Sequence, residues 1–175
     1  SVIVRPNDTE VSLLEKIELA TILGTFQSTL THFPYLRKIW QTNTEEERLL
    51  GVSMTGILDN SLLNNPDDEH LPLLLERLKT HAVDVNTALA SSLGINASAA
   101  ITAIKPEGTV SQLTGTASGL HPQHSEYFIR RVRSDNKDPL TDFLKAAGFP
   151  SEPCVMKPDS TTVFAFPMAT APGAL

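Results

Sequence analysis

Leu71, Leu74, Leu75, Leu78, Ala82, Val85 and Leu89 recur at the three- and four-residue spacing that lays a single apolar stripe along a helix. Gly94 follows where a glycine ends such a helix. A stripe of this length must be buried against something, and the sequence supplies a surface on each side. Leu49 to Ile57 upstream and Ala99 to Ile104 downstream are short apolar runs of strand character. Gly51 and Gly56 fit a buried strand with something packed close to its backbone. Strand, helix and strand in this order predict a parallel sheet covered by the helix.

The remaining segments continue the alternation. Asn7-Asp8-Thr9 offers an N-cap, and Leu13, Ile17, Ala20, Leu23 and Leu30 predict a helix over about 9 to 32 that ends before Pro34. Gly24, Thr25, Ser28, Thr29 and Thr31 make it a poor helix by propensity, so packing must hold it. Thr44-Glu45-Glu46-Glu47 places acids where a helix start is expected, and Asn60 to Asp68 reads as loop. Tyr127 to Arg133 is expected to be extended, Pro139 to Ala147 to be a short helix stopped by Gly148, and Thr162 to Phe166 to be the last strand. The fold class is α/β.

At 175 residues with 41% apolar and 19% charged side chains, the chain suits one packed domain. Its 14 basic against 20 acidic residues, net −6, argue against a protein that grips nucleic acid through overall charge. One cysteine excludes an internal disulfide and a cysteine-based structural zinc site. No run reaches the ~20 apolar residues of a membrane span. The expectation is a soluble, cytoplasmic protein. The opening Ser1-Val2-Ile3-Val4 and the closing Ala171-Pro172-Gly173-Ala174-Leu175 read as cut in mid-structure, as in a piece of a longer protein.

The best candidate for chemistry is the strand-to-helix turn Lys105-Pro106-Glu107-Gly108-Thr109-Val110-Ser111. A helix start presents unpaired N–H groups and a partial positive charge. Pro106 needs no hydrogen bond there, Gly108 lets a ligand approach the backbone, and Thr109 and Ser111 carry hydroxyl donors. Such a turn binds phosphate without a basic patch. An ordinary capped helix start has the same spacing, and no Walker-type Gly-Lys-Ser/Thr is present, which disfavours a P-loop phosphotransferase. A second loop, Gly115 to Pro122, holds His121, with His124 just beyond; no carboxylate or cysteine stands at ligand spacing, so surface histidines are expected rather than a metal site. Arg130, Arg131 and Arg133 read as a solvated face with acidic neighbours, or as a phosphate contact. Cys154, with no basic or helix-start context in sequence, reads as an unreactive thiol.

Several blocks, taken in order, resemble the large catalytic subunit of ribonucleotide reductases, most closely the adenosylcobalamin-dependent class. They are Leu19-Ala20-Thr21-Ile22-Leu23-Gly24-Thr25-Phe26-Gln27-Ser28-Thr29-Leu30-Thr31, Glu46-Glu47-Arg48-Leu49-Leu50-Gly51-Val52-Ser53-Met54-Thr55-Gly56, Lys105 to Leu113, Ala117-Ser118-Gly119-Leu120-His121-Pro122 and Arg130-Arg131-Val132-Arg133. The resemblance implies the second half of a ten-stranded α/β barrel. It implies a phosphate-binding turn at Pro106, Glu107, Gly108, Thr109, Val110 and Ser111, and active-site lining at Gly51, Ser53 and Thr55. Where the family often has Ser, this chain has Glu107: either its carboxylate turns outward and leaves its amide to the ligand, or affinity falls.

The family's Asn-x-Cys-x-Glu finger-loop signature is absent, and Cys154 matches no catalytic position, so no catalytic residue is assigned and the isolated chain is expected to be inactive. By the same resemblance the whole protein would convert ribonucleoside di- or triphosphates to deoxyribonucleotides by thiyl-radical chemistry. It would use adenosylcobalamin, the remainder of the reductase chain and an external dithiol such as thioredoxin. The alternative from another class is a non-catalytic α/β interaction module whose glycine-rich turns are caps.

Overall fold

The computed structural model describes residues 1–171 and Ala174, which form two compact units: 1–123 with the described chain end, and 124–170. In the first unit, β1 (Val2–Ile3) pairs in parallel with β2 (Met54–Thr55), in the register Val2↔Met54 and Ile3↔Thr55. A parallel bridge joins Val52 to Thr102. The N–H groups of Leu50 and Val52 donate to Ala100 O and Ile101 O, both at 2.9 Å. The predicted parallel strands therefore form, with residues 50–55 in the middle. The run 99–104 is less buried than expected: Ile101 is in the core and Ile104 is 83% exposed.

Two long helices cover these strands. α1 (Glu10–Gln27) starts on Thr9 in a capping box with Ser12, and α3 (Leu71–Leu93) ends on Gly94 in the left-handed conformation. Between them runs α2 (Lys38–Glu47), none of whose residues is buried. The inward residues of α1 are Leu13, Ile17, Thr21 and Thr25; those of α3 are Leu78, Ala82, Asn86 and Ala90. Both sets advance by four, so the helices meet along one ridge each. The ridge is apolar near the strands, where Leu13, Ile17, Leu78 and Ala82 join Val2, Val4, Val52, Leu63 and Ile101 in the core.

Farther along, the ridge turns polar yet stays dry. Thr21 and Thr25 donate to the carbonyls of Ile17 and Thr21, both at 2.8 Å. Asn86, fully buried, donates to Thr25 Oγ1 at 2.9 Å and Ser98 Oγ at 3.0 Å, and its carbonyl accepts the Ser98 N–H at 2.9 Å. This bonding accommodates residues of poor helix propensity within α1.

Two expected boundaries move. α1 stops at Gln27 rather than near residue 32, because Ser28 and Thr29 hydroxyls take the carbonyls of Thr25 and Phe26 and close the chain into turns. The acids Glu45 to Glu47 lie at the end of α2, not at a helix start. Glu45 is held there by Gln41 Nε2 at 2.7 Å and Thr31 Oγ1 at 2.9 Å, partners that offset the unfavourable helix dipole.

The second unit departs from the parallel expectation. β3 (Tyr127–Asp135), β4 (Ser151–Pro153) and β5 (Thr161–Ala169) form an antiparallel sheet in the order β3-β5-β4, with α5 (Pro139–Ala146) between β3 and β4 in sequence. The short connection from Pro153 to Thr161 permits a hairpin and excludes a parallel crossover. Phe164 is buried, and the rings of Phe149 and Phe166 lie 5.6 Å apart.

The polar ridge gives the first prediction. Asn86→Ala leaves the Ser98 N–H without its acceptor, and should lower stability by about 1–3 kcal/mol in urea unfolding. Thr87→Ala, one residue on at an exposed position, should change it by less than about 0.5 kcal/mol.

Candidate functional site

Three chain segments leave the carboxyl ends of the parallel strands: Arg5 after β1, Gly56 to Asp59 after β2, and Lys105 to Ser111 after the bridge at Thr102. In parallel sheets this rim is where ligands bind. Residues 116–119 pack between the latter two segments and join them. Thr55 Oγ1 donates to Ala117 O and accepts the Gly119 N–H, each at 3.1 Å. The Gly56 N–H donates to Ala117 O at 2.9 Å, and the Ala117 N–H donates to Asp59 Oδ2 at 2.8 Å. On the other side Ser118 Oγ donates to Pro106 O at 2.7 Å. Gly56 and Gly119 both have positive φ, +76° and +57°. A Cβ on Gly56 would lie 2.8 Å from Val4 O, and one on Gly119 would lie 2.8 Å from Lys105 O. Close backbone approach therefore requires glycine at both positions.

The turn itself is a left-handed kink followed by a single helical turn, α4 (Val110–Thr114). Glu107 has φ +52°, an uncommon conformation for a residue with a side chain. Hydrogen bonding within the turn begins with the Ser111 N–H, which donates to Glu107 O at 3.0 Å. Among the described residues, no carbonyl accepts from the N–H of Gly108, Thr109 or Val110, all of them exposed. Three donors are thus left facing outward. The Thr109 side chain is exposed beside them, whereas Ser111 is buried, with Oγ 3.4 Å from Gly108 O.

Glu107 points the other way. Its side chain is 4% exposed; it accepts the hydroxyl of Ser1 and pairs with Lys105 Nζ at 3.2 Å, and Lys105 Nζ also donates to Ser1 Oγ at 2.8 Å. Burial opposes ionisation of this carboxyl, but the hydrogen bonds from Ser1 and Lys105 and the Lys105 charge outweigh it and hold Glu107 below the ordinary glutamate value. Asp59 is the reverse case. Burial pushes its carboxyl above the ordinary aspartate value, against the Ala117 N–H and the charge of Arg5.

The three residues expected to line an active site do not share one surface. Thr55 is fully buried and occupied by residues 117 and 119. Ser53 borders an apolar cleft of about 300 Å³ that runs to Lys105, and Gly51 is exposed on a different groove of about 490 Å³. Sequence reasoning passed over Asp59 and Asn60, both buried. Asn60 Nδ2 donates to Arg5 O at 2.8 Å and Asp8 O at 2.9 Å, fixing the segment after β1. A polar pair two apolar residues beyond a strand-ending glycine was the available signal.

In the second unit, Arg131 pairs with Glu152, the acidic neighbour expected of a solvated face. Cys154 is not without a basic context, as its sequence neighbours suggested. The nearby backbone N–H groups of Met156 and Lys157 and the Arg133 guanidinium favour the thiolate and hold the thiol below its ordinary value, against burial. The pairing of β3 with β5 across from β4 brings Arg133 there, which local sequence does not reveal. Among the described residues, no group of three or more His, Cys, Asp and Glu gathers in a metal-binding cluster, and no helix is long and apolar enough to cross a membrane.

Two predictions follow from the rim. Gly119→Ala should cost more than about 1 kcal/mol in chemical unfolding, and more than Gly115→Ala, whose φ is +66° but whose Cβ would meet open space. The difference isolates the approach to Lys105 O. Because the folded-state pKa of Asp59 is raised, the native protein should lose stability as pH rises from the ordinary aspartate value through the raised one. Asp59→Asn, which still accepts the Ala117 N–H, should flatten the stability profile there and be no less stable at neutral pH.

No family model matches the chain. Among curated proteins, the adenosylcobalamin-dependent ribonucleoside-triphosphate reductase of Euglena gracilis is 30% identical over 176 residues, 89% of this chain and 24% of the relative. That of Lactobacillus delbrueckii subsp. bulgaricus is 28% identical over 174 residues, 86% of this chain and 23% of the relative. The chain thus spans about a quarter of the length of the curated relatives it matches. Among solved structures, a B12-dependent (class II) ribonucleotide reductase superposes with a TM-score of 0.78 at 25% identity, covering 99% of this chain and 28% of that one. In sequence and in fold, then, the chain corresponds to one stretch of the adenosylcobalamin-dependent ribonucleotide reductases.

Proposed function

We propose that residues 1–175 are one piece of the catalytic barrel domain of a cytoplasmic ribonucleotide reductase, and that the turn from Pro106 to Ser111 binds the substrate's phosphates. The observation that carries this is the set of three outward N–H groups at Gly108, Thr109 and Val110, on the carboxyl rim of parallel strands. Backbone donors bind a phosphate without a cation of their own. Each such bond to a charged acceptor is worth about 1.5–3 kcal/mol net. The Thr109 hydroxyl adds a fourth donor at the exposed edge, and Glu107 does not contest the ligand because its carboxylate is engaged by Lys105 and Ser1.

In this reading the piece binds and orients. The Thr55–Ala117–Gly119 bonds fix the rim against the strands, the turn anchors the nucleotide's phosphates, and the ribose is left to groups supplied by the rest of a longer chain. The substrate class is a ribonucleoside di- or triphosphate, the product the deoxyribonucleotide, and an external dithiol such as thioredoxin restores the reductant. Adenosylcobalamin, when bound, would supply radical initiation, with its binding elements mostly in the rest of the longer chain. Gly51 and Ser53 are retained as lining of that larger site, with Thr55 as the residue that braces it.

The test is a titration of the 175-residue chain with a ribonucleoside triphosphate, followed by amide NMR. Selective shifts at Gly108, Thr109 and Val110 are expected, together with no turnover when adenosylcobalamin and a dithiol are added. A folded chain whose turn amides do not respond sinks the phosphate assignment and favours an interaction module. Turnover by the chain alone contradicts the division of labour.

A further inference from the structure

The antiparallel sheet of the second unit ends on one side at β3, and the alternation of its hydrogen bonds shows which groups of that strand are free. The Thr170 N–H donates to Glu126 O and the Asn136 N–H to Ser160 O, both at 2.9 Å. Both pairs continue the β3–β5 register, so the even-numbered residues of β3 exchange bonds with β5 and the odd-numbered ones turn their backbone groups outward. This outer edge is closed at its two ends. Tyr127 O accepts from Ser125 Oγ at 2.8 Å, and Asp135 O accepts from Thr141 Oγ1 at 2.7 Å. Between them, among the described residues, nothing pairs with the backbone N–H and C=O of Ile129, Arg131 and Arg133.

Open groups in the middle of an edge strand are a template for a further strand. The side chains of the three open residues share one face, and all three are exposed, Ile129 by 67%. With Arg130 on the opposite face, three of the chain's 14 basic residues stand within positions 130–133 of a protein whose net charge is −6. That charge selects the occupant. Two copies joined edge to edge through all three open residues would set Arg131 directly opposite its own counterpart, a repulsive pair. A strand with acidic residues on that face would instead meet Arg131 and Arg133 with opposite charge. Arg131 already pairs with Glu152, but both side chains are more than half exposed, so the pair is weak and leaves guanidinium donors for a second carboxylate.

We propose that the outer edge of β3 docks an extended, acidic segment of a partner protein as an added strand. The segment takes its backbone bonds from Ile129, Arg131 and Arg133 and sets carboxylates beside the two arginines. The proposal does not rest on the phosphate reading of residues 106–111.

The test adds to the 175-residue chain a synthetic peptide that alternates glutamate with valine over the length of β3, and reads amide NMR and amide hydrogen exchange. The peptide should slow exchange at Ile129, Arg131 and Arg133, while the even-numbered amides, already paired with β5, change little. A peptide alternating lysine with valine should bind at least about tenfold more weakly. Arg131→Gln should weaken the acidic peptide by about two- to fivefold, the size of one cross-strand charge pair. Ile129→Pro removes an outward N–H and spares the ladder to β5, so it should fold and lose at least about tenfold in affinity. No binding by the folded chain, equal binding of the lysine peptide, or protection confined to residues outside β3 overturns the proposal. So does unchanged affinity in Arg131→Gln or in a folded Ile129→Pro. A concentration-dependent dimer that protects the same three amides without peptide assigns the edge to a second copy and also overturns it. If Ile129→Pro does not fold, the exchange pattern and Arg131→Gln decide.

Discussion

The hydrogen bonds joining the end of β2 to residues 117–119 hold the rest of the site in place. Thr55 contributes one hydroxyl that both donates and accepts, Gly56 one N–H, and Asp59 one carboxylate oxygen, and together they satisfy the backbone of a loop with no secondary structure of its own. Buried backbone groups without partners would be costly, so the loop is determined by the strand it caps. That loop in turn receives Pro106 through Ser118, and the left-handed Gly119 lets Lys105 O approach. The orientation of the turn is thus inherited from the parallel strands through side chains and glycines, not through a continuous ladder.

The sequence made the strand–helix–strand unit legible because its cues are local and periodic. The stripe from Leu71 to Leu89, Gly94 and the capping residue Thr9 all act within a few residues of where they stand. The turn from Lys105 to Ser111 was legible for the same reason, as a proline and a glycine between an apolar run and a helix start. What was hidden depends on residues far apart in the chain. The direction of the Glu107 side chain follows from Ser1, 106 positions away, and the environment of Cys154 from Arg133 on another strand. The early end of α1 was hidden for a different reason: Ser28 and Thr29 can back-bond within a helix or close it, and periodicity does not say which.

On the proposed reading, an acidic chain, net −6, holds an anion through amides rather than through a cluster of cations. Amide donors bring no counter-charge that must be desolvated or screened, and they keep their geometry when the backbone is braced. The bracing is therefore where such a site is vulnerable. Fixed glycines at 56 and 119 and the buried carboxylate of Asp59 brace the backbone beside the turn. A site of this type is recognised by which backbone donors remain free, more than by which side chains surround it.

The buried Asn86 ties α3 to Thr25 of α1 and to Ser98 beyond α3 in a single amide group. Leucines on facing ridges tolerate small slides, since one methyl group substitutes for another. An amide with three assigned partners does not. Moving α3 by one turn would strand all three at once, and moving α1 would strand the bond to Thr25, so this residue works as a pin that sets the axial alignment of the pair.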